Sequence, residues 1–158
     1  MFFPKKIKEA VFKLYAFVRV ADDFIDQVPS DLHGFNGFVA QYKNKNMKNP
    51  IIKGFYEVKD AYGISNEEVQ AFLDAMKSDS SDKVHYASYA DLQGYMYGSA
   101  EVIGLMMAKI MKLNPESYPY AQKLGESMQY INFIRDIDED NQLKRRYIPQ
   151  NILDEFQL

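Results

Sequence analysis

The stretch Gln129-Tyr130-Ile131-Asn132-Phe133-Ile134-Arg135-Asp136-Ile137-Asp138-Glu139-Asp140 decides how this chain is read. At a helical step of about 100° per residue, Gly125, Gln129, Asn132, Asp136 and Asp140 fall on one stripe. Leu124, Met128 and Ile131 flank the stripe on one side, Phe133 and Ile137 on the other, and Ile134 lies nearly opposite. A helix apolar around most of its circumference is expected to be buried. Two amides and two carboxylates in line on a buried helix are costly unless something satisfies them. Internal ion pairs would do so, and so would a polar cavity holding cations and an anionic ligand. A second acidic motif near the N-terminus favours the cavity.

That motif is Asp22-Asp23-Phe24-Ile25-Asp26, a D-D-x-x-D pattern. Asp22 and Asp26 stand one helical turn apart on one face, and the same edge runs back through Arg19 and Tyr15. Like charges at this spacing repel, and acids at a helix C-terminus face the negative end of its dipole. A hard divalent cation would offset both costs, because Mg²⁺ takes one or two carboxylates and completes its shell with water and phosphate oxygens. A solvated acidic helix end is the other reading of the same residues. Arg19, Arg135, Lys144, Arg145 and Arg146 supply positive charge near the acids. Acids, metal and arginines together suit a diphosphate.

The chain around these motifs is ordinary for one folded domain. It has 158 residues, 47% hydrophobic and 26% charged, enough to bury a core and too apolar for disorder. The net charge of −3 argues against nucleic acid as a partner, and no apolar run approaches the length of a membrane span. With no cysteine there is no disulfide, thiolate nucleophile or thiolate metal site. A cytoplasmic address is the expectation, with peripheral attachment to a membrane as its variant. His33 and His85 lack companions at ligand spacing and read as surface residues. There is no phosphate-binding G-x-x-x-x-G-K-[ST] loop and no G-x-S-x-G elbow. The 12 Tyr, 11 Phe and 8 Met fill either a core or a large apolar cavity.

Apolar residues recur at steps of three and four throughout, which predicts an all-α chain. Helices are expected over residues 4–26, 35–43, 51–61, 66–76, 88–112 and 118–140. Ile7, Ala10, Val11, Leu14, Val18, Ala21 and Ile25 form the apolar stripe of the first. Gly63 is a stop signal, Ser65-Asn66-Glu67-Glu68 is a capping box, and residues 78–83 read as a loop.

In this order the motifs resemble the squalene/phytoene synthase family. Tyr15-Ala-Phe-Val-Arg19-Val-Ala-Asp22-Asp23-Phe-Ile-Asp26 is similar to its first signature, and the stretch from Gln129 to Asp140 to its second. Lys144-Arg145-Arg146-Tyr147-Ile148-Pro149 resembles the segment that follows. Asp91-Leu-Gln-Gly-Tyr95-Met-Tyr97-Gly98-Ser-Ala-Glu-Val-Ile-Gly104 resembles the central tyrosine helix. Two residues depart from the family: Lys144 replaces a glycine, and Glu101 stands at the Gly of a V-A-G-x-V-G pattern.

The resemblance implies an isoprenoid-synthase-type helical bundle that joins two prenyl diphosphates head to head through a cyclopropylcarbinyl diphosphate. It implies Mg²⁺, or Mn²⁺ in its place, on Asp22, Asp26, Asp136 and Asp140, and NADPH only in the case of a squalene synthase. Arg19, Gln129, Asn132, Arg135 and Arg145 are implied contacts of the diphosphate or its metals, with Tyr15, Arg19 and Tyr95 at the reaction centre. Family catalytic domains are close to twice as long, so residues 1–158 are expected to form one helical domain, the central portion of an incomplete bundle. Such an open bundle is expected to self-associate. An inactive fragment, or a prenyl-diphosphate-binding module without catalysis, is the alternative from another class, and a head-to-tail chain elongator is the enzymatic rival.

Overall fold

The computed structural model describes residues 3–80 and 84–157, and these are helical almost throughout. Helix α1 spans Lys5–Ile25, α2 Leu32–Lys43, α3 Pro50–Tyr62 and α4 Asn66–Ser78. After β1 (Val84–His85) come α5 (Tyr89–Met96), a π-helical turn (Tyr97–Glu101) and α6 (Val102–Ile110). Then follow α7 (Tyr118–Arg135), α8 (Ile137–Gln142), β2 (Arg145–Arg146) and α9 (Gln150–Glu155). The two short strands pair in parallel and tie the segment after α8 back to the segment after α4.

Local signals set the helix ends. Asn49 accepts from the Ile51 and Ile52 amides at the start of α3, and Gly63 closes that helix in the left-handed region at φ 66°. Ser65 and Glu68 form a reciprocal capping box on α4, and Ser88 and Asp91 form one on α5. α2 begins at Leu32, earlier than residue 35, because the Asp31 side chain accepts from the Gly34 amide and caps it. Of the loop expected over 78–83, residues 81–83 lie outside the described ones.

The main core lies among α1 to α4 and α6. Ala10, Leu14, Phe17, Ala21 and Ile25 are the buried face of α1. Phe17, absent from the expected stripe, anchors it in an aromatic cluster: its ring stacks on Phe55 at 3.8 Å and meets Phe38 at 5.2 Å and Tyr42 at 5.5 Å. A smaller aromatic cluster holds α5 and α7 to β2, with Phe133 stacked on Tyr147 at 4.4 Å beside Tyr95.

Three expectations about the long helices are corrected. The helix expected over 88–112 is interrupted by the π-turn. The one expected over 118–140 breaks at Asp136, whose φ of −102° and ψ of 14° leave the helical region and start α8 afresh. The third correction concerns burial. Of α7 only Glu126 and Phe133 are buried, while Leu124, Met128, Ile131 and Ile134 are each about 60% exposed or more (62%, 59%, 63% and 68%). Close backbone approach, not side-chain burial, seats this helix. A methyl added at Gly104 would lie 2.3 Å from the Ala121 carbonyl oxygen, and one at Gly125 2.5 Å from that of Ala100. Among the described residues no helix is long and apolar enough to cross a membrane.

Candidate active site

α1 and α7 deliver their acidic ends to one cavity of about 390 Å³. Asp22 and Asp26 line it from α1, and Gln129, Asn132, Asp136 and Asp140 from α7 and α8. The amide-and-carboxylate stripe therefore does face a cavity. Asn132 donates to the Gln129 side-chain oxygen at 3.1 Å, so the two amides hold each other in place. Asp136 and Asp140 stay in register across the break because the Asp140 amide donates to the Asp136 carbonyl at 2.8 Å.

The acids of the two motifs sit in different helix fields. Those of α1 crowd its C-terminal end, where the dipole disfavours them. Arg145 relieves that end from 120 residues away, donating at 3.2 Å to the Ile25 carbonyl oxygen and at 3.2 Å to the Asp26 carboxylate. Arg19 forks onto Asp22 at 2.9 Å and Asp23 at 2.8 Å. Even so, burial and then the neighbouring Asp26 push the Asp22 carboxyl above its ordinary range. Asp138, Glu139 and Asp140 instead occupy the first turn of α8, where the dipole favours them. Asp140 is nevertheless pushed up to about 6, chiefly by burial, with Asp136 and Glu139 adding repulsion that Arg145 opposes. Asp136 goes the other way, held below its usual range by the Arg135 guanidinium, which grips both its oxygens at 2.6 Å.

Not every expected residue reaches the cavity. Tyr15 is 60% exposed and does not line it. It sits two turns before Asp22, about 10 Å back along a helix that enters the cavity wall only from Val18. Arg19 and Arg135 also stand outside the lining, each turned onto its neighbouring acids. Tyr95 does line it, and so does Arg145.

Beside the acidic cavity, α6 and α7 enclose an apolar groove of about 590 Å³. Ile103, Met107, Met111, Leu124 and Met128 form its walls. Ser99 and Gln129 line both spaces, so the groove adjoins the acidic cavity and these two residues stand at the junction. An acidic space beside an apolar one would suit an amphiphile only if cations bridged its anionic head to the carboxylates.

The profile of the squalene/phytoene synthase family matches residues 1–158. The chain belongs to that family. A presqualene diphosphate synthase from Sinorhizobium fredii is 29% identical over 158 residues, covering 96% of this chain and 56% of that protein. A phytoene synthase from Rhodobacter capsulatus is 30% identical over 154 residues, covering 92% of this chain and 45% of that protein. A crystal structure of a dehydrosqualene synthase in complex with ligand superposes with a TM-score of 0.86 at 28% identity, over 98% of this chain and 56% of that one. The chain thus spans about half the length of the curated relatives it matches. Its fold is the all-α isoprenoid-synthase fold of the squalene/phytoene synthase family.

One cavity residue escaped the sequence reading. Asp79, at the end of α4, is buried at the cavity wall and accepts from the Tyr95 hydroxyl at 2.7 Å and the Tyr147 hydroxyl at 2.8 Å. Burial pushes it up to about 6, with the two tyrosine hydrogen bonds opposing. In sequence it belongs to a Ser/Asp-rich run that reads as a solvated loop. Its partners lie 16 and 68 residues away, so no local spacing signals it.

Among the described residues, no three His, Cys, Asp or Glu side chains converge closely enough to hold a metal by themselves. The donor set still suits Mg²⁺. Five carboxylates line one cavity, the four of the two acidic motifs and Asp79; among the four, Asp22 and Asp140 are raised by burial first and by like-charged neighbours after it, and Mg²⁺ normally completes its shell with substrate phosphates.

Proposed function

We propose that this chain binds prenyl diphosphates with Mg²⁺ and takes part in their head-to-head condensation, as its family and relatives suggest. The observation that carries the reading is the acidic cavity adjoining an apolar groove at Ser99 and Gln129. In this reading Asp22, Asp26, Asp136 and Asp140 hold the metal, and Mn²⁺ can replace Mg²⁺. The metal, when bound, neutralises diphosphate charge and eases its departure. Arg145, Gln129 and Asn132 hold the diphosphate, while Arg19 and Arg135 swing from their present acid partners onto its outer oxygens. Tyr95 closes the cavity wall beside the reacting carbons. Its hydroxyl proton is committed to Asp79, which leaves its oxygen lone pairs free to face developing positive charge. The groove keeps water from the allylic cation formed when the first substrate loses diphosphate. The second substrate then attacks that cation, and proton loss closes the cyclopropane ring.

Residues 1–158 act in this reading as one helical domain forming the central portion of a longer synthase fold. The exposed apolar face of α7 supports self-association or peripheral contact with a membrane. Sizing chromatography with and without lipid vesicles separates the two. The decisive assay incubates the chain with farnesyl or geranylgeranyl diphosphate and Mg²⁺, with and without NADPH, and follows products by mass spectrometry. Metal-dependent diphosphate release with a head-to-head product is the expected result. Binding of the substrates without turnover selects the binding-module alternative. Failure to bind either substrate in the presence of Mg²⁺ overturns the reading.

A further inference from the structure

The π-turn leaves one polar atom unsatisfied at a telling place. The Ser99 hydroxyl is buried and has no hydrogen-bond partner among the described residues. Buried hydroxyls are normally paired, and a helical serine usually bonds back to a carbonyl one turn earlier. Ser99 does not, although it sits inside the Tyr97–Glu101 turn. Single π-turns inside helices recur at functional sites, because the wider coil re-aims side chains. Ser99 is also one of the two residues shared by the acidic cavity and the apolar groove, Gln129 being the other. The two further unpartnered buried atoms, Tyr130 Oη and Arg146 Nε, belong to residues that line neither space.

We propose that the Ser99 hydroxyl is a substrate contact, donating a hydrogen bond to the phosphate nearest the hydrocarbon chain of the bound ester. The proposal rests on the prenyl diphosphate reading and deepens it. An amphiphile with its head among the acids and its tail between α6 and α7 must pass between Ser99 and Gln129. At that junction a turn of the Ser99 side chain about its Cα–Cβ bond brings the hydroxyl, closed to solvent without ligand, onto the α-phosphate and fixes how deep the first carbon of the chain sits. Free-state cost and bound-state gain then belong to the same atom: the hydroxyl is unpaired without ligand and satisfied with it.

Calorimetric titration with farnesyl S-thiolodiphosphate and Mg²⁺, paired with melts of the ligand-free proteins, tests this. The variants are Ser99→Ala, Ser99→Val and Ser99→Thr. Alanine and valine are expected to weaken binding by about tenfold, and threonine to stay within about threefold of the wild type. Ligand-free Ser99→Ala is expected to melt no lower than the wild type, since it loses an unpaired buried hydroxyl. That opposite sign separates a substrate contact from a structural serine. Wild-type affinity in Ser99→Ala overturns the proposal while leaving the prenyl diphosphate reading intact. A lower ligand-free melting point in Ser99→Ala also overturns it, because the hydroxyl then has an internal partner. A wild-type protein that does not bind the probe overturns both.

Discussion

α1 and α7 both end in an acidic motif, yet they are held by different means. α1 drives Leu14, Phe17, Ala21 and Ile25 into a dense aromatic core. α7 buries only Glu126 and Phe133, and touches α6 and the π-turn through glycine and alanine backbone. The difference shows how the two supports of one site divide the labour. α1 is part of the core that makes the fold stable, and its acids ride on that rigid base. α7 gives part of its apolar surface to a groove, so its stability rests on a few tight contacts and its side chains stay available to a ligand.

Substitutions on the two helices can break this contrast, beginning with the largest effect. Phe17→Ala should cost about 3–5 kcal/mol in urea unfolding, as expected for a large aromatic removed from a dense core. A loss under about 1 kcal/mol would show that α1 is not the rigid partner. Gly104→Ala should cost about 1–3 kcal/mol, because its methyl would press on the Ala121 carbonyl. If it proves neutral, α6 and α7 are not held by backbone approach.

Asp136→Asn should weaken Mg²⁺-dependent pyrophosphate binding by at least about tenfold while leaving the unfolding midpoint nearly unchanged. Unfolding of this variant would make the α7 motif a structural ion-pair network, and unaltered binding would remove Asp136 from the site.

Acidification sharpens the comparison at the cavity itself. Asp79 and Asp140 are each raised to about 6 in the folded protein. Unfolded aspartate titrates near about 3.9. The folded state therefore binds protons more readily than the unfolded one. The stability these two acids contribute is fully present below about pH 3.9 and is lost as pH rises through about 6. Glu126 and Asp136, both lowered by their cationic neighbours, act in the opposite sense only below the ordinary carboxylate range. The metal-free protein should accordingly melt a few degrees higher near pH 5 than near pH 7.5, with Asp79→Asn flattening the trend. A melting point that stays level or rises from pH 5 to pH 7.5 would count against the buried state of Asp79. The smallest effect belongs to the exposed face of α7, where Ile134→Ser should change stability by no more than about 0.5 kcal/mol. A large loss there would mean that this face is covered in solution.

Much of the site was legible because helices repeat. Asp22 with Asp26, and Gln129 with Asn132, Asp136 and Asp140, are aligned by spacing alone. The capping box at Ser65, the stop at Gly63 and the all-α class are equally local, since each depends on residues within one turn. Other features joined distant parts of the chain and carried no such mark. Phe17 became the centre of the core only when Phe55, Phe38 and Tyr42 closed on it from other helices. Asp79 found Tyr95 and Tyr147, and Arg145 found the end of α1. The apolar circumference of α7 predicted burial and met exposure, because periodicity records which residues could pack and not what packs on them. By itself, then, the sequence determined the all-α class, several helix ends and the two acidic stripes, all products of backbone geometry over a few residues. Only the tertiary structure decided that the stripes share a cavity, that a groove adjoins it, and that Ser99 stands unpaired at the junction. Those facts depend on how distant helices approach one another, which is set by packing and not by local spacing.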